Sequence, residues 1–453
     1  MSRLSTVAAL AAAVAVSACS TVSRVGDAIW PFNDGPDAPA ATAPQDGRVS
    51  VLAIEQQLTP DPALAGQTIV VPPAVQVAEW PQPGGTADNS PPQPSGMATL
   101  QRAWRADLGA GSNDRVQIAA PPVIADGVLF FLDADHRVHA VQARDGERLW
   151  ARALRPQGGR DRAARGGGLA AAGGRVFVTT GFGFIATLDA ANGQEVWRAD
   201  AGAPFQSAPT VSGTRVFATT NDSELMAFDA GTGDVAWTHQ AIAEPARILS
   251  ASSVAIDGDT LVAPFASGEL SALLVANGRR LWSDSLSRSG RLTSLSAIND
   301  IAGRPVIDGG VAYAASHSGI LAAIDLRTGQ RVWARGFAST QTPWVAGDVL
   351  YAVSVDGELA AFSRATGGVY WMTQLRRFED QRARTGRVAW VGPIMVGGRL
   401  ILANSVGDVV SVTAESGQTV ATADVGQPVF IPPIAANDQI YIVSDDARLT
   451  VLR

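Results

Sequence analysis

Short apolar runs, each a few residues long, follow one another along residues 100–453 with Gly- or Asp-containing turns between them. In one stretch, Ala208-Pro209-Thr210-Val211-Ser212-Gly213 leads to Arg215-Val216-Phe217-Ala218-Thr219-Thr220. Then Glu224-Leu225-Met226-Ala227-Phe228-Asp229 runs to a turn at Thr232-Gly233, and Asp234 to His239 closes the unit. Runs of this length, broken by turn formers, predict four antiparallel strands. The unit recurs about every 40–50 residues, a period typical of propellers and solenoids.

Tryptophan marks the repeat. Trp104, Trp150, Trp197, Trp237, Trp282, Trp333 and Trp371 fall one to a unit. A Gly stands four residues before six of them: Gly146, Gly193, Gly233, Gly278, Gly329 and Gly367. Ser416-Gly417 continues the series, with Ala421 where the next Trp would fall. Ten residues before each Trp lies a small residue, as at Ala140, Ala227, Ala272, Ala323 and Ala361, with Thr187 in one unit. A Gly in the turn permits φ > 0, and a small residue on the preceding strand leaves room for an indole. After the seventh Gly turn the chain supplies three more strands, around Ile434-Ala435, Ile440 to Val443 and Leu449 to Leu452. The missing fourth stands at the other end, as Leu100 to Asp107. The prediction is an all-β fold: an eight-bladed β-propeller of four-stranded antiparallel blades over residues 96–453, closed by the N-terminal strand completing the last blade.

The region before the blades differs. Arg3 followed by the apolar Val7 to Val16 reads as an export signal over residues 1–18, too short to span a bilayer. The chain's single cysteine, Cys19, follows the small residues Ser17 and Ala18. That pattern resembles a bacterial lipobox, which implies acylation of Cys19. Residues 19–95 are rich in Pro, Asp and Gly and read as a tether. Two apolar pieces within it, Val49 to Ile54 and Ile69-Val70-Val71, are candidates for docking on the body.

Composition narrows the function classes. The net charge of −7 argues against a phosphate-binding nucleic-acid protein. All 35 basic residues are Arg, which removes Schiff-base and P-loop lysine chemistry. One cysteine excludes an internal disulfide and a cysteine metal cluster. No metal-ligand spacing stands out. His136 and His139 are three apart on a predicted strand and would face opposite sides. Asp133, Asp135, Asp222, Asp356, Asp408, Asp445 and Asp446 lie in or near turns, where Asp is favoured. Arg155, Arg160, Arg162 and Arg165 cluster in one Gly-rich loop, and Arg376, Arg377, Arg382, Arg384 and Arg387 in another.

The unit Ala-x-Asp-x-x-Thr-Gly-x-x-x-Trp, at Ala227 to Trp237 and Ala323 to Trp333, resembles the quinoprotein (PQQ-type) propeller repeat. Trp80-Pro81-Gln82-Pro83-Gly84-Gly85 resembles the lead-in to such propellers. With the lipobox and eight blades, the chain is similar to the BamB family, propeller lipoproteins of the outer-membrane β-barrel assembly (BAM) machinery. The resemblance implies a non-catalytic scaffold without cofactor or metal, lipid-anchored in the outer membrane and facing the periplasm. Its implied partners are a POTRA domain of BamA, other BAM lipoproteins and unfolded outer-membrane protein clients. The family's contact loops correspond to Arg247, Ile248 and Leu249, and to Asp300. In the first the Arg precedes the apolar pair rather than following it, and Ala302 replaces a second Asp in the other. The alternative implied by the repeat is a periplasmic PQQ-dependent dehydrogenase or quinone-binding protein.

Overall fold

The computed structural model describes residues 58–64, 66–156, 163–244, 248, 252–287 and 298–453. Cys19 and the export signal lie outside them, as does Val49 to Ile54. Eight four-stranded antiparallel sheets form the propeller, as the repeat predicts. Blades 1 to 7 each run from inner to outer strand in chain order. They occupy residues 123–153, 167–200, 210–240, 255–285, 306–336, 344–374 and 390–424. Blade 8 takes its three inner strands from residues 434–452 and its outer strand from Arg102–Asp107. There Trp104 pairs with Val451, and Gln101 and Arg453 exchange backbone hydrogen bonds of 3.0 and 2.9 Å.

The repeat residues have a common geometry. Each small residue pairs directly with its Trp across the outer hairpin: Ala140 with Trp150, Thr187 with Trp197, Ala227 with Trp237, and likewise at Ala272, Ala323 and Ala361. The indole then reaches the next blade. Trp150 Nε1 donates to Ala190 O at 2.9 Å, Trp197 to Ala230 at 3.0 Å, and Trp237 to Val275 at 3.0 Å. Trp282, Trp333 and Trp371 do the same to Leu326, Arg364 and Ala414.

The turn glycines therefore have a second purpose that the strand pattern did not predict. They adopt φ near +70°, as the turn requires. A Cβ on Gly278 would also come within 2.5 Å of the Trp237 ring, and one on Gly193 within 2.6 Å of Trp150. The missing side chain is the seat of the neighbouring indole. The Asp that precedes several of these turns caps them. Asp229 Oδ1 accepts from the N–H groups of Gly231 and Thr232, which hold its carboxyl below the ordinary range.

Two positions depart from the series, each for a visible reason. Ala421 replaces a Trp in blade 7, whose neighbour, blade 8, has no Gly turn because its third and fourth strands come from opposite ends of the chain. Trp104 packs on Gly146, but the carbonyl equivalent to the other acceptors, Ala143 O, is taken by Tyr441 Oη at 3.1 Å. Trp104 Nε1 is left without a partner, and its ring meets Tyr441 edge-on.

Within the range expected to be tether, residues 75–95 lie across the ring's axis. The innermost strand of a blade has a free edge, and here the same register position is satisfied in five consecutive blades. Ile124 N donates to Trp80 O at 2.8 Å, Ala171 N to Pro81 O at 2.7 Å and Val211 N to Gln82 Oε1 at 3.0 Å. Ile256 N donates to Ala87 O and Ile307 N to Asp88 O. On the far side Gly397 N donates to Pro94 O and Asn437 N to Val77 O, while Trp80 stacks on Trp344. The folded body thus begins well before residue 96. Ile69 is buried against it without forming a strand, while Val70 stays exposed.

Replacing Trp237 with Ala is expected to destabilise the protein by ~3 kcal/mol, and with Phe by about 1 kcal/mol, read from urea unfolding. Gly278→Ala should cost ~1–3 kcal/mol alone, and less in the Trp237→Ala background, where the ring it strikes is gone. Gln82→Ala, which strips partners from both Val211 N–H and C=O, should cost about 1–3 kcal/mol.

Candidate functional site

The loops expected to meet a partner precede blades 4 and 5. Arg247 and Leu249 lie outside the described residues. Ile248 is half-buried, and its backbone joins three connections. Ile248 N donates to Asp300 Oδ2 at 2.7 Å, and Ile248 O accepts from Gln206 Nε2 at 3.1 Å. Gln206 belongs to the connection before blade 3, and Asp300 to that before blade 5. Asp300 O also accepts from His317 N at 3.0 Å.

The structure brings Ile248 and Asp300, each carried over from the family resemblance, into direct contact. Asp300 is only 2% exposed. Its carboxylate faces inward to hold a backbone N–H rather than outward to meet a partner. Ala302, where the family has a second Asp, is buried too.

Ile248 also lines a cavity of about 560 Å³ at the ring's axis, where the connections into six blades converge. Its wall includes Ile118, Arg304, Thr342, Trp390 and Ile431, with Phe430 and Asp445 beside them. Residues 75–95 cross the axis near the other ends of the inner strands, so the cavity has a floor. Sequence reasoning missed this feature because its lining comes from irregular connections, which carry no periodic signal.

The turn acids are held locally. Asp356 pairs with both Arg377 and Arg387, Asp408 with Arg376, and Asp446 with Arg448. Among the described residues, no group of three His, Cys, Asp or Glu is placed to share a metal. Of the two Arg-rich loops, residues 376–387 form a hairpin inserted before blade 7, with Arg382 and Arg384 exposed at its tip. Arg165 of the other bonds to the carbonyls of Asp114 and Arg115, while Arg160 and Arg162 lie outside the described residues. The three Trp that lie in neither the repeat nor the lead-in pattern include Trp390, whose Nε1 donates to Arg376 O at the root of that hairpin.

His136 and His139 are both buried, in different settings. The strand starts at Arg137, so His136 sits not on it but in a turn with φ 56°. His139 Nε2 lies 2.8 Å from Asp133 Oδ2. Burial would raise the Asp133 pKa, but His139 and the N–H groups of Arg137 and Ala110 together hold it below the usual range. His136 has no such carboxylate contact. Its Nε2 accepts the N–H of Gly181 at 3.1 Å, and burial lowers its pKa to about 4.

Residues 97–164, 134–373 and 376–453 match the family described as "Outer membrane protein assembly factor BamB". The chain is 30% identical over 355 residues to the protein of that name from Escherichia coli (strain K12), covering 78% of this chain and 88% of that protein. The same figures hold for the protein of that name from Shigella dysenteriae serotype 1. Among solved structures, BamB from Moraxella catarrhalis superposes with a TM-score of 0.65 at 22% identity, over 78% of this chain and 99% of that one. A quinohemoprotein alcohol dehydrogenase from Comamonas testosteroni gives the same TM-score at 15% identity, over 84% of this chain and 81% of that one, a likeness of fold alone.

The buried histidine makes stability depend on pH. Unfolded, His136 titrates near the ordinary value of about 6.5; folded, it stays neutral down to about 4. The unfolded chain therefore binds the extra proton first. Stability from this group is complete above pH 6.5 and falls as pH drops towards 4, by ~3 kcal/mol in all. Urea unfolding between pH 7.5 and 4.5 should show that slope, and His136→Gln should flatten it.

Proposed function

The chain belongs to the BamB family of outer membrane protein assembly factors, and from that premise we propose that it is a non-catalytic scaffold of the assembly machinery. A lipid on Cys19 anchors it to the outer membrane, with the propeller in the periplasm. It binds the periplasmic POTRA region of BamA, beside the other lipoproteins of the complex, and supports insertion of unfolded β-barrel clients.

The observation that carries this reading is the hydrogen bond between Ile248 N and Asp300 Oδ2. It ties the two loops that the family resemblance names into one surface. Asp300 is then a positioning residue, and contact with the partner falls to the 245–251 loop, whose Arg247 and Leu249 supply the charge and the apolar anchor. An apolar side chain beside one Arg is the usual make-up of an interface hot spot. The alternative, a periplasmic quinoprotein dehydrogenase, has only the shared fold in its support.

The test is purification of the tagged protein from its own membrane in mild detergent, with mass spectrometry of what accompanies it. Leu249→Asp is expected to lose the POTRA-containing partner while leaving the melting temperature unchanged. Asp300→Ala should lose it as well, and cost about 1–3 kcal/mol of stability, because a buried N–H is left without its acceptor. Retention of the partner by both variants would refute this surface.

A further inference from the structure

The eight inner strands can be aligned by their pairing. Val123, Thr210, Ala255, Val306, Trp344 and Ile434 each begin that pairing opposite an equivalent residue of the second strand. Two residues earlier, at the rim of the axis, blades 1, 3, 4, 6 and 8 have Pro121, Ala208, Ser253, Thr342 and Pro432. The other two, aligned through Ala170 and Ile394, have Gly. Blade 5 has Arg304. One long cation thus stands in a ring of otherwise small or ring-closed residues.

Arg304 lines both the axial cavity and the small void beneath residues 80–89, which places it at the cavity's floor. Its Nε is buried without a hydrogen-bond partner. Among the described residues, no carboxylate forms an ion pair with it, and burial alone lowers its pKa to about 10. It remains charged throughout the ordinary pH range. Arg304 as a whole is half-buried, and a guanidinium partly withdrawn from water without a counter-charge carries a desolvation cost. Arg364 and Arg198, at similar depth, are compensated, the first by Asp308 and Tyr313 and the second by Glu195.

The rest of the cavity indicates what would supply the missing charge. Among the described residues, Arg304 is the one Arg of its wall and Asp445 the one acid. A dianion would therefore be poorly matched. Ile118, Trp390 and Ile431 are apolar and buried. The volume of about 560 Å³ is that of a small-molecule site. We propose that the axial cavity binds an organic monocarboxylate, its two oxygens on the Arg304 guanidinium and its apolar body against Trp390 and Ile431. A planar guanidinium matches a carboxylate through paired N–H donors. The carboxylate can belong to a free small acid or to the C-terminus of a peptide, and the two share this recognition.

The full chain, purified in mild detergent, would be titrated with 2-naphthoate and with neutral 2-naphthamide, following tryptophan fluorescence. A parallel arm uses a short apolar peptide with a free or an amidated C-terminus, followed by calorimetry. Saturable binding of at least one acid is expected, with its amide about tenfold weaker or more. Arg304→Gln should abolish that preference. Binding of naphthoate alone identifies a small acid as the ligand, and binding of the peptide alone identifies a chain end. Arg304→Met, which removes the uncompensated charge, should raise the melting temperature of the ligand-free protein. The proposal is overturned if neither acid saturates, if Arg304→Gln keeps the preference, or if Arg304→Met melts lower.

Discussion

An indole seated where the next blade lacks a Cβ is the contact on which the ring depends. A four-stranded blade has two faces and too little material to bury either alone. Six of the eight junctions solve this in the same way: the outer-strand Trp packs on its neighbour's Gly turn and donates its N–H to a carbonyl of that turn. One bond per junction is modest, worth about 1 kcal/mol net. Its value lies in direction. A flat apolar contact would let blades slide, whereas a donor aimed at one carbonyl fixes the angle between them. The two exceptions follow from the same rule, since Ala421 faces a blade without the turn and Trp104 finds its carbonyl already bonded to Tyr441.

Residues 75–95 complete what the Trp junctions leave undone. Closure of the ring removes the edges between strands within each blade, but every innermost strand still presents unpaired N–H groups to the axis. Successive residues from Trp80 to Asp88 satisfy these groups in blades 1 to 5. The pattern explains why this stretch is rich in Pro. It pairs with single positions on diverging strands rather than with one strand along its length, so it cannot be a β-strand and needs no regular ladder. It also makes the two ends of the axis unlike. One is filled by backbone, and the other opens into a polar and apolar cavity.

Much of this was legible in the chain. The Trp–Gly spacing carried the blade number, the outer hairpin register and the borrowed N-terminal strand, because each rests on local turn chemistry repeated many times. The Trp80 to Gly85 segment was legible as a lead-in but not as a latch, since its partners are spread from Ile124 through Val211 to Trp344. Asp300 was named through the family resemblance, and the pattern gave no hint that it is buried. A single Asp in a loop carries no sign of whether it faces water or a backbone N–H. His136 was placed one residue too far into its strand, because its left-handed turn conformation is one that Gly or Asn usually announces. Arg304 had no signal in the linear pattern, and only the strand register shows that its place in the other blades is taken by small residues or proline.

The axial latch also bears on the order in which the molecule can assemble. Residues 77–94 are made before any blade, yet their partners extend to Gly397 and Asn437 in the last two. The first strand, too, must wait for Arg448–Leu452. Individual blades can form from neighbouring strands as they emerge, and residues 80–88 can meet blades 1 to 5 early, but the first strand, Val77 and Pro94 have no partners until blades 7 and 8 exist. Contacts this distant in sequence come late and slowly. A chain stopped short of blade 8 would keep its first strand unpaired and the Val77 carbonyl without its donor. Completion of blade 8 is thus the event that covers both the first strand and the start of the axial segment.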